Sequence, residues 1–258
     1  MSEQWHEVGD RVFVRRHESY DLNVGLVVGD GHCLVLDTRE TARRASDLVA
    51  AIRRITPDPW TVVNSHAHFD HYFGNAMFVP AEIWAHARAA EEIEKDGEAV
   101  RDRVAAGREP EAADVEIVAP DHTFTDRATL DIGGRPVHLR YFGRGHTDND
   151  IVVHVPDAGV IFAGDLVEEG APPAFDDGYP LDWPGTLTAM LADLPEPVIV
   201  PGHGAVVDRA FVTTQLGELA TTADLARRAH VEGLRDLISQ IPYPQALERA
   251  FLQLDDVS

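Results

Sequence analysis

Cysteine occurs once in this 258-residue chain, at Cys33, so no disulfide can form within it and a reducing, cytoplasmic setting is expected. Lysine is equally scarce. Lys95 is the only one, and 22 basic side chains stand against 44 acidic ones, a formal charge of −22. The clustered cations that grip DNA or RNA are missing, so nucleic acid is not an expected partner. No apolar run reaches about 18 residues, and a membrane partner is not expected either. The segment Met1 to Asp10 has no apolar run behind a positive start and does not read as an export signal. A small-molecule substrate is the partner left; oligomeric state is not legible in the sequence.

Hydrophobic residues make up 44% of the chain and charged ones 26%, ordinary values for a globular protein. β-branched runs predict strands at Arg11 to Arg16, Leu22 to Val28 and His32 to Asp37, with Gly29-Asp30-Gly31 as a turn. Apolar residues at helical spacing predict a helix over Thr41 to Ile55, and Pro57 and Pro59 stop it before a strand at Trp60 to Asn64. A strand at Ala81 to His86 and a charged surface helix over Ala87 to Arg108, broken at Gly97, follow. The second half predicts strands at Ala128 to Ile132, Pro136 to Phe142, Ile151 to Val155, Val160 to Ala163 and Val198 to Val200, with a helix near Pro184 to Leu194. Amphipathic helices are expected over Val212 to His230 and Val231 to Gln240. No linker divides the chain, which reads as one domain over residues 1–258, its C-terminal helices at about 208–256 packing on the rest. Gly170 to Pro184 reads as a mobile loop.

Histidine is abundant, 13 in all, and five lie in short loops beside Asp and Gly. Directly after the strand Trp60 to Asn64 comes Ser65-His66-Ala67-His68-Phe69-Asp70-His71. In extended backbone His66 and His68 project to one side, while a turn into helix aims Asp70 and His71 elsewhere, implying two adjacent metal sites. Imidazole and carboxylate without thiolate suit Zn²⁺, with Fe or Mn as alternatives. Three further ligand candidates share one grammar, an apolar strand and then a glycine turn: His146 in Gly143-Arg144-Gly145-His146-Thr147, Asp165 after Val160 to Gly164, and His203 after Val198 to Gly202. A single His or Asp at a strand end is usually a surface or capping residue; seven in four such loops are read together as metal ligands.

This constellation resembles the metallo-β-lactamase superfamily over about residues 10 to 205. The resemblance implies an α/β fold, a four-layer αββα sandwich, with a dinuclear site at one edge of the sheets. By position it implies His66, His68 and His146 on a first metal, Asp70, His71 and His203 on a second, and Asp165 bridging, hence two Zn²⁺. Secreted β-lactamases of this superfamily often have Cys where Asp165 stands, and flavodiiron members have Glu where His68 stands. The Asp-bridged glyoxalase II-like, lactonase-like and broad-specificity branches are the better likeness. Members commonly carry Gly shortly after the third His; here Asn149 can supply the left-handed turn. Asp37 resembles an acidic position that supports the site from behind.

The expected chemistry is hydrolysis of a small ester, thioester, lactone or lactam by a hydroxide bridging the metals, with Asp70 as the catalytic group that orients it or moves its proton. An iron-dependent oxidoreductase resembling persulfide dioxygenases is an alternative, and phosphodiester cleavage a weaker one. No substrate-binding residue is assigned. Phe175, Tyr179 and Trp183 in the stretch Glu168 to Trp183 are either an aromatic lid or the anchors of a surface loop. Arg144 and Arg209 are candidates for a substrate carboxylate, and Arg227, Arg228 and Arg235 unspecific candidates for a glutathione clamp. Cys33 and the remaining eight histidines, 13 less the five above, read as structural.

Overall fold

Short β-branched runs joined by tight turns build the first of two sheets. In the computed structural model, which describes residues 4–232 and 239–255, β1 (Trp5–Gly9), β2 (Val12–Arg16), β3 (Asn23–Val28) and β4 (Cys33–Leu36) pair antiparallel in chain order. Helix α1 (Ala42–Ile52) crosses over, and β5 (Trp60–Val63), β6 (Ile83–His86) and β7 (His122–Phe124) extend the sheet in parallel. Strands β1 and β7 are absent from the sequence reading. They form the two edges of the sheet, where polar residues face water and apolar alternation is lost. The second sheet runs β12-β11-β10-β9-β8, from β8 (Arg127–Ile132), β9 (Arg135–Arg140), β10 (Val152–Val155), β11 (Val160–Glu168) and β12 (Val198–His203). Only its β11–β12 pair is parallel.

The sheets face each other across a dry layer. Val12, Val14, Leu34 and Leu36 from the first meet Leu130, Val137, Val153 and Phe162 from the second, all buried. Each such side chain contributes roughly 1.5–3 kcal/mol by leaving water. Gly25 is required there, because a Cβ on it would sit 2.6 Å from the ring of Phe162. Helices cover the outer faces, giving the αββα order. On one side α1, capped by Thr41 accepting from the Arg44 N–H at 3.3 Å, lays Ala45, Leu48 and Ile52 on β3, β4 and β5. Beside it lie the single turn α2 (Phe69–Tyr72) and the long α3 (Ala87–Ala106). On the other side α4 (Trp183–Asp193) and α5 (Arg209–Glu232) cover the second sheet, with α6 (Leu247–Asp255) against α5.

Three local expectations are corrected. Helix α3 runs unbroken through Gly97, which packs so closely on Ile117 that a Cβ would meet it at 2.7 Å. α1 stops at Ile52 rather than Ile55. Strand β11 continues to Glu168, so Asp165 lies within a strand that bends at Gly164, φ +53°, rather than at a strand end. The helix expected over Val231 to Gln240 falls largely outside the described residues, as does Arg235. Among the described residues no helix is long and apolar enough to cross a membrane.

The far ends of β5, β11 and β12 and the loop from β9 to β10 meet along one edge of the sandwich. Asn23 of the first sheet ties this edge by donating from Nδ2 to the carbonyls of Pro201 and Gly204, both at 2.9 Å.

Candidate metal centre

The chain leaves β5 at Val63 and bends through Ser65, His66 and Ala67, rather than running extended as expected, before His68 (φ −93°, ψ 144°) leads into α2. One turn later Asp70 and His71 point to a neighbouring position. Loops and strands of the second sheet bring the remaining three: His146 between β9 and β10, Asp165 within β11, and His203 as the last residue of β12. Two groups of metal-competent side chains result, His66, His68, His146 and Asp165 in one and Asp70, His71 and His203 in the other, each with donor atoms within 4.8 Å of one another. All seven residues read from the sequence meet at this edge. Asp165 stands between the groups. Its carboxylate lies 3.7 Å from His66 Nε2 and 3.4 Å from His146 Nε2 on one side, and 3.4 Å from His71 Nε2 and 3.1 Å from His203 Nε2 on the other. Gly202 permits this approach, because a Cβ there would fall 1.8 Å from Asp165 Oδ1.

Each imidazole is held from its outer nitrogen by an acceptor. His71 Nδ1 donates to Asp37 Oδ2 at 2.9 Å, His203 Nδ1 to the Tyr20 carbonyl at 2.6 Å, His146 Nδ1 to the Ala174 carbonyl at 3.2 Å, and His68 Nε2 to Asp177 at 3.1 Å. His66 Nδ1 lies 3.0 Å from Ser65 Oγ, whose own proton goes to Asp37 Oδ2 at 2.9 Å, so the hydroxyl accepts from His66. These bonds fix the outer N–H and leave the inner nitrogen of every ring able to present a lone pair. His68 is the exception in orientation, turning Nδ1 rather than Nε2 inward, 2.8 Å from His146 Nε2. Two such nitrogens that close need a proton or a cation between them.

The inner atoms fit a metal. His66 Nε2, His71 Nε2 and Asp165 Oδ1 are buried without any hydrogen-bond partner among the described residues, a costly state for polar atoms in a low-dielectric interior. The donor set, five imidazoles and two carboxylates without sulfur, suits a divalent ion such as zinc. In the metal-free chain protons share the space unevenly. Burial, reinforced by the neighbouring His71, holds His66 well below the usual imidazole range, and burial brings His146 down to about 4. Burial also opposes charge on His203, yet Asp165 and Asp70 outweigh it and push its pKa up to about 10. For His68 burial is likewise outweighed, here by Asp177, and the pKa rises to about 9. Metal binding at neutral pH therefore displaces protons.

Asp37 holds the centre from behind. It adopts φ +65°, unusual for a residue with a Cβ, and is locked by accepting from Ser65 N at 2.7 Å besides Ser65 Oγ and His71. Asn149 supplies no left-handed turn, since its φ is not positive; its Oδ1 instead accepts from the Ala67 N–H at 3.0 Å and fixes the backbone between His66 and His68. Asp177, Glu168, Ser65 and Asn149 act around the ligand-competent side chains without having been singled out for it in the sequence. Glu168 ends β11 and Asp177 lies in the acidic loop that follows, neither at ligand spacing, and only their place in the fold distinguishes them.

A cleft of about 750 Å³ opens over both groups. Phe69, Val100, Val104, Arg103 and Arg108 line one wall, and Glu168, Glu169, Ala171, Pro172 and Asp177 the other. The loop after β11 thus borders the cleft through its small and acidic residues, while its aromatics serve as anchors. Phe175 and Trp183 are buried, their rings 5.3 Å apart, and the Trp183 indole donates to the Leu166 carbonyl. Tyr179 packs beneath Arg144. Arg144 itself pairs with Asp182 at 2.6 Å and lines a separate groove, and Arg209 is spent on the carbonyls of Leu191 and Leu194. Arg227 donates to the Leu181 carbonyl. None of these three lines the cleft.

A family model described as the metallo-beta-lactamase superfamily matches residues 21–203. A metallo-beta-lactamase type 2 from Bacteroides fragilis is 34% identical over 89 residues, 33% of this chain and 36% of that protein; the match spans about a third of that relative's length. An acyl-coenzyme A thioesterase from Bos taurus is 25% identical over 195 residues, 65% of this chain and 68% of that protein. A metallo-beta-lactamase structure from Pontibacter korlensis superposes with a TM-score of 0.64 at 20% identity, covering 84% of this chain and 98% of that one.

Proposed function

The chain belongs to the metallo-β-lactamase superfamily and is a metal-dependent hydrolase, and we propose that it holds two zinc ions and cleaves a small-molecule acyl bond: ester, thioester, lactone or lactam. The observation that carries this reading is the convergence of three orphaned buried atoms, His66 Nε2, His71 Nε2 and Asp165 Oδ1, at the centre of five outward-tethered imidazoles. His66, His68 and His146 would hold one ion, Asp70, His71 and His203 the other, with Asp165 shared. Bound there, the ions supply Lewis acidity and bring the pKa of a coordinated water from 15.7 towards about 7.

The protein's own residues prepare the rest. Asp70 lines the cleft, with Oδ2 3.6 Å from His203 Nε2 and 3.8 Å from His71 Nε2. Its carboxylate is placed to orient the attacking water and take its proton. The buried floor of His66, His71 and Asp165 keeps bulk solvent from competing for those donors. Among the described residues no nucleophilic Ser or Cys lines the cleft, consistent with direct attack by water. Acyl rather than phosphodiester substrates fit a cleft bordered by Glu169, Asp176 and Asp177, which repel a polyanion. The names of the relatives point the same way, since lactams and acyl thioesters both present a carbonyl carbon.

The test is a panel of thioester, ester, lactone, lactam and phosphodiester substrates run on enzyme of measured metal content. Two equivalents of zinc and acyl hydrolysis reduced at least about 100-fold by Asp70→Ala are expected. Iron-dependent oxygen uptake with a persulfide, or hydrolysis undiminished in the variant, would refute the reading.

A further inference from the structure

In a chain of net charge −22 most surface guanidiniums find a carboxylate. Arg11 lies 2.8 Å from Asp30, Arg44 2.8 Å from Glu109 and Arg43 3.0 Å from Glu111. Arg103, in the last turn of α3, and Arg108, just beyond it, differ. Both are exposed, both line the cleft, and neither has a carboxylate partner among the described residues. The acids beside them in sequence are engaged elsewhere. Asp102 accepts from Arg101 at 2.8 Å and Glu109 from Arg44 at 2.8 Å. Arg108 instead stands over the ring of Phe69, its guanidinium carbon 5.9 Å from the ring centroid. Phe69 lies between His68 and Asp70 in sequence, so this cation sits one aromatic ring away from the candidate metal centre.

We propose that Arg103 and Arg108 form the receptor for a terminal carboxylate on the substrate, which makes the substrate an acyl compound with an apolar spacer and a monoanionic end. The proposal rests on the hydrolytic reading above and narrows it. Phe69, Val100 and Val104 form the apolar strip between the metal-competent groups and the two guanidiniums. A short methylene chain on that strip loses water against carbon, while the scissile carbonyl remains over His68 and Asp70. A planar carboxylate matches the guanidinium fork. The facing wall favours a single charge, since Glu169, Asp176 and Asp177 oppose a dianionic phosphate more strongly than a carboxylate. Elsewhere the acidic surface repels anions, so two uncommitted cations at the mouth also select where one enters.

The experiment compares two esters of equal length on the zinc-loaded enzyme, para-nitrophenyl monoglutarate and the neutral para-nitrophenyl pentanoate, at low and high salt. In the double variant Arg103→Ala/Arg108→Ala, KM for the monoglutarate should rise about 10-fold with kcat unchanged, and KM for the pentanoate should not move. The Arg103→Lys/Arg108→Lys variant should recover part of the loss, which a folding defect would not. A calorimetric titration reads binding alone: glutaramate, a monoanion with a neutral amide at its other end, should bind the wild-type protein about 10-fold more tightly than the neutral pentanamide, and the two should bind equally to the double alanine variant. Equal binding of the two amides to the wild type, or equal KM changes for the two esters, overturns the proposal. Failure to hydrolyse either ester while the glutaramate preference persists counts against the hydrolytic reading and leaves the carboxylate receptor standing.

Discussion

Replacing Asp37 by Asn exchanges one buried oxygen for an NH₂ group and changes almost nothing in volume. Asp37 Oδ1 accepts from Ser65 N at 2.7 Å, and Oδ2 receives protons from both Ser65 Oγ and His71 Nδ1 at 2.9 Å. With Oδ1 still engaged, the new amide directs its hydrogens at Ser65 Oγ and His71 Nδ1. His71 must then become an acceptor at Nδ1 and carry its proton on Nε2, where a metal needs a lone pair. The Ser65 hydroxyl, no longer able to donate to residue 37, turns to His66 Nδ1 at 3.0 Å and drives that ring into the same inverted tautomer. One imidazole in each group is thus disabled. Loss of an outer partner costs about 10-fold to 100-fold in metal affinity per ligand, so a combined weakening of about 100-fold or more, ~2.8 kcal/mol, is expected. Competition with a zinc-binding dye measures it, and imidazole nitrogen NMR reports the tautomers. Asp37→Ala is the control: it creates a cavity and lowers the melting temperature more than Asn, but it does not impose the inverted tautomer. If Asp37→Asn binds two zinc equivalents at wild-type affinity, the tautomer argument is wrong.

Gly202→Ala places a methyl 1.8 Å from Asp165 Oδ1, so the carboxylate must swing away; a stability loss of about 1–3 kcal/mol with zinc stoichiometry below that of wild type is expected from melting curves and metal analysis. Asp177→Asn should weaken zinc binding about 10-fold through His68 with little change in melting temperature, because the Asp177 side chain is 49% exposed; an unchanged affinity would remove Asp177 from the support of the centre. Burial raises the Asp150 carboxyl to about 7 from 3.8, against the opposing bonds from Thr147. Because the folded protein holds this proton more tightly than the unfolded chain, Asp150 costs stability in full above about pH 7, and the cost fades as pH falls towards 4. Asp150→Asn should therefore gain stability relative to wild type between pH 5 and pH 8, and a difference independent of pH in urea titrations would contradict the burial argument.

How far the sequence carries depends on whether a residue announces itself locally. His66, His68, Asp70 and His71 do, because four metal-competent side chains in six positions have no common structural use. His146 and His203 do so through the glycine turns beside them. Asp165 was visible as a residue, but its place within a strand was not, since the bend at Gly164 disguises the continuation of β11. Strands β1 and β7 carry too little apolar alternation to be seen. The outer supports were mostly illegible for a different reason: Asp177 reaches His68 across 109 positions and Asn149 reaches Ala67 across 82, and nothing near either partner marks the pair. The aromatic loop shows the limit of composition, because Phe175 and Trp183 look the same in sequence as a lid or as an anchor.

The centre straddles the gap between the two sheets. The first sheet delivers His66, His68, Asp70 and His71, and the second delivers His146, Asp165 and His203. Neither half of the sandwich owns a complete coordination sphere, so ligand spacing depends on how the halves are mated. A loaded centre would act as a rivet through that seam, and anything that slides one sheet against the other, at whatever distance from the cleft, would register as a change in grip on the ions.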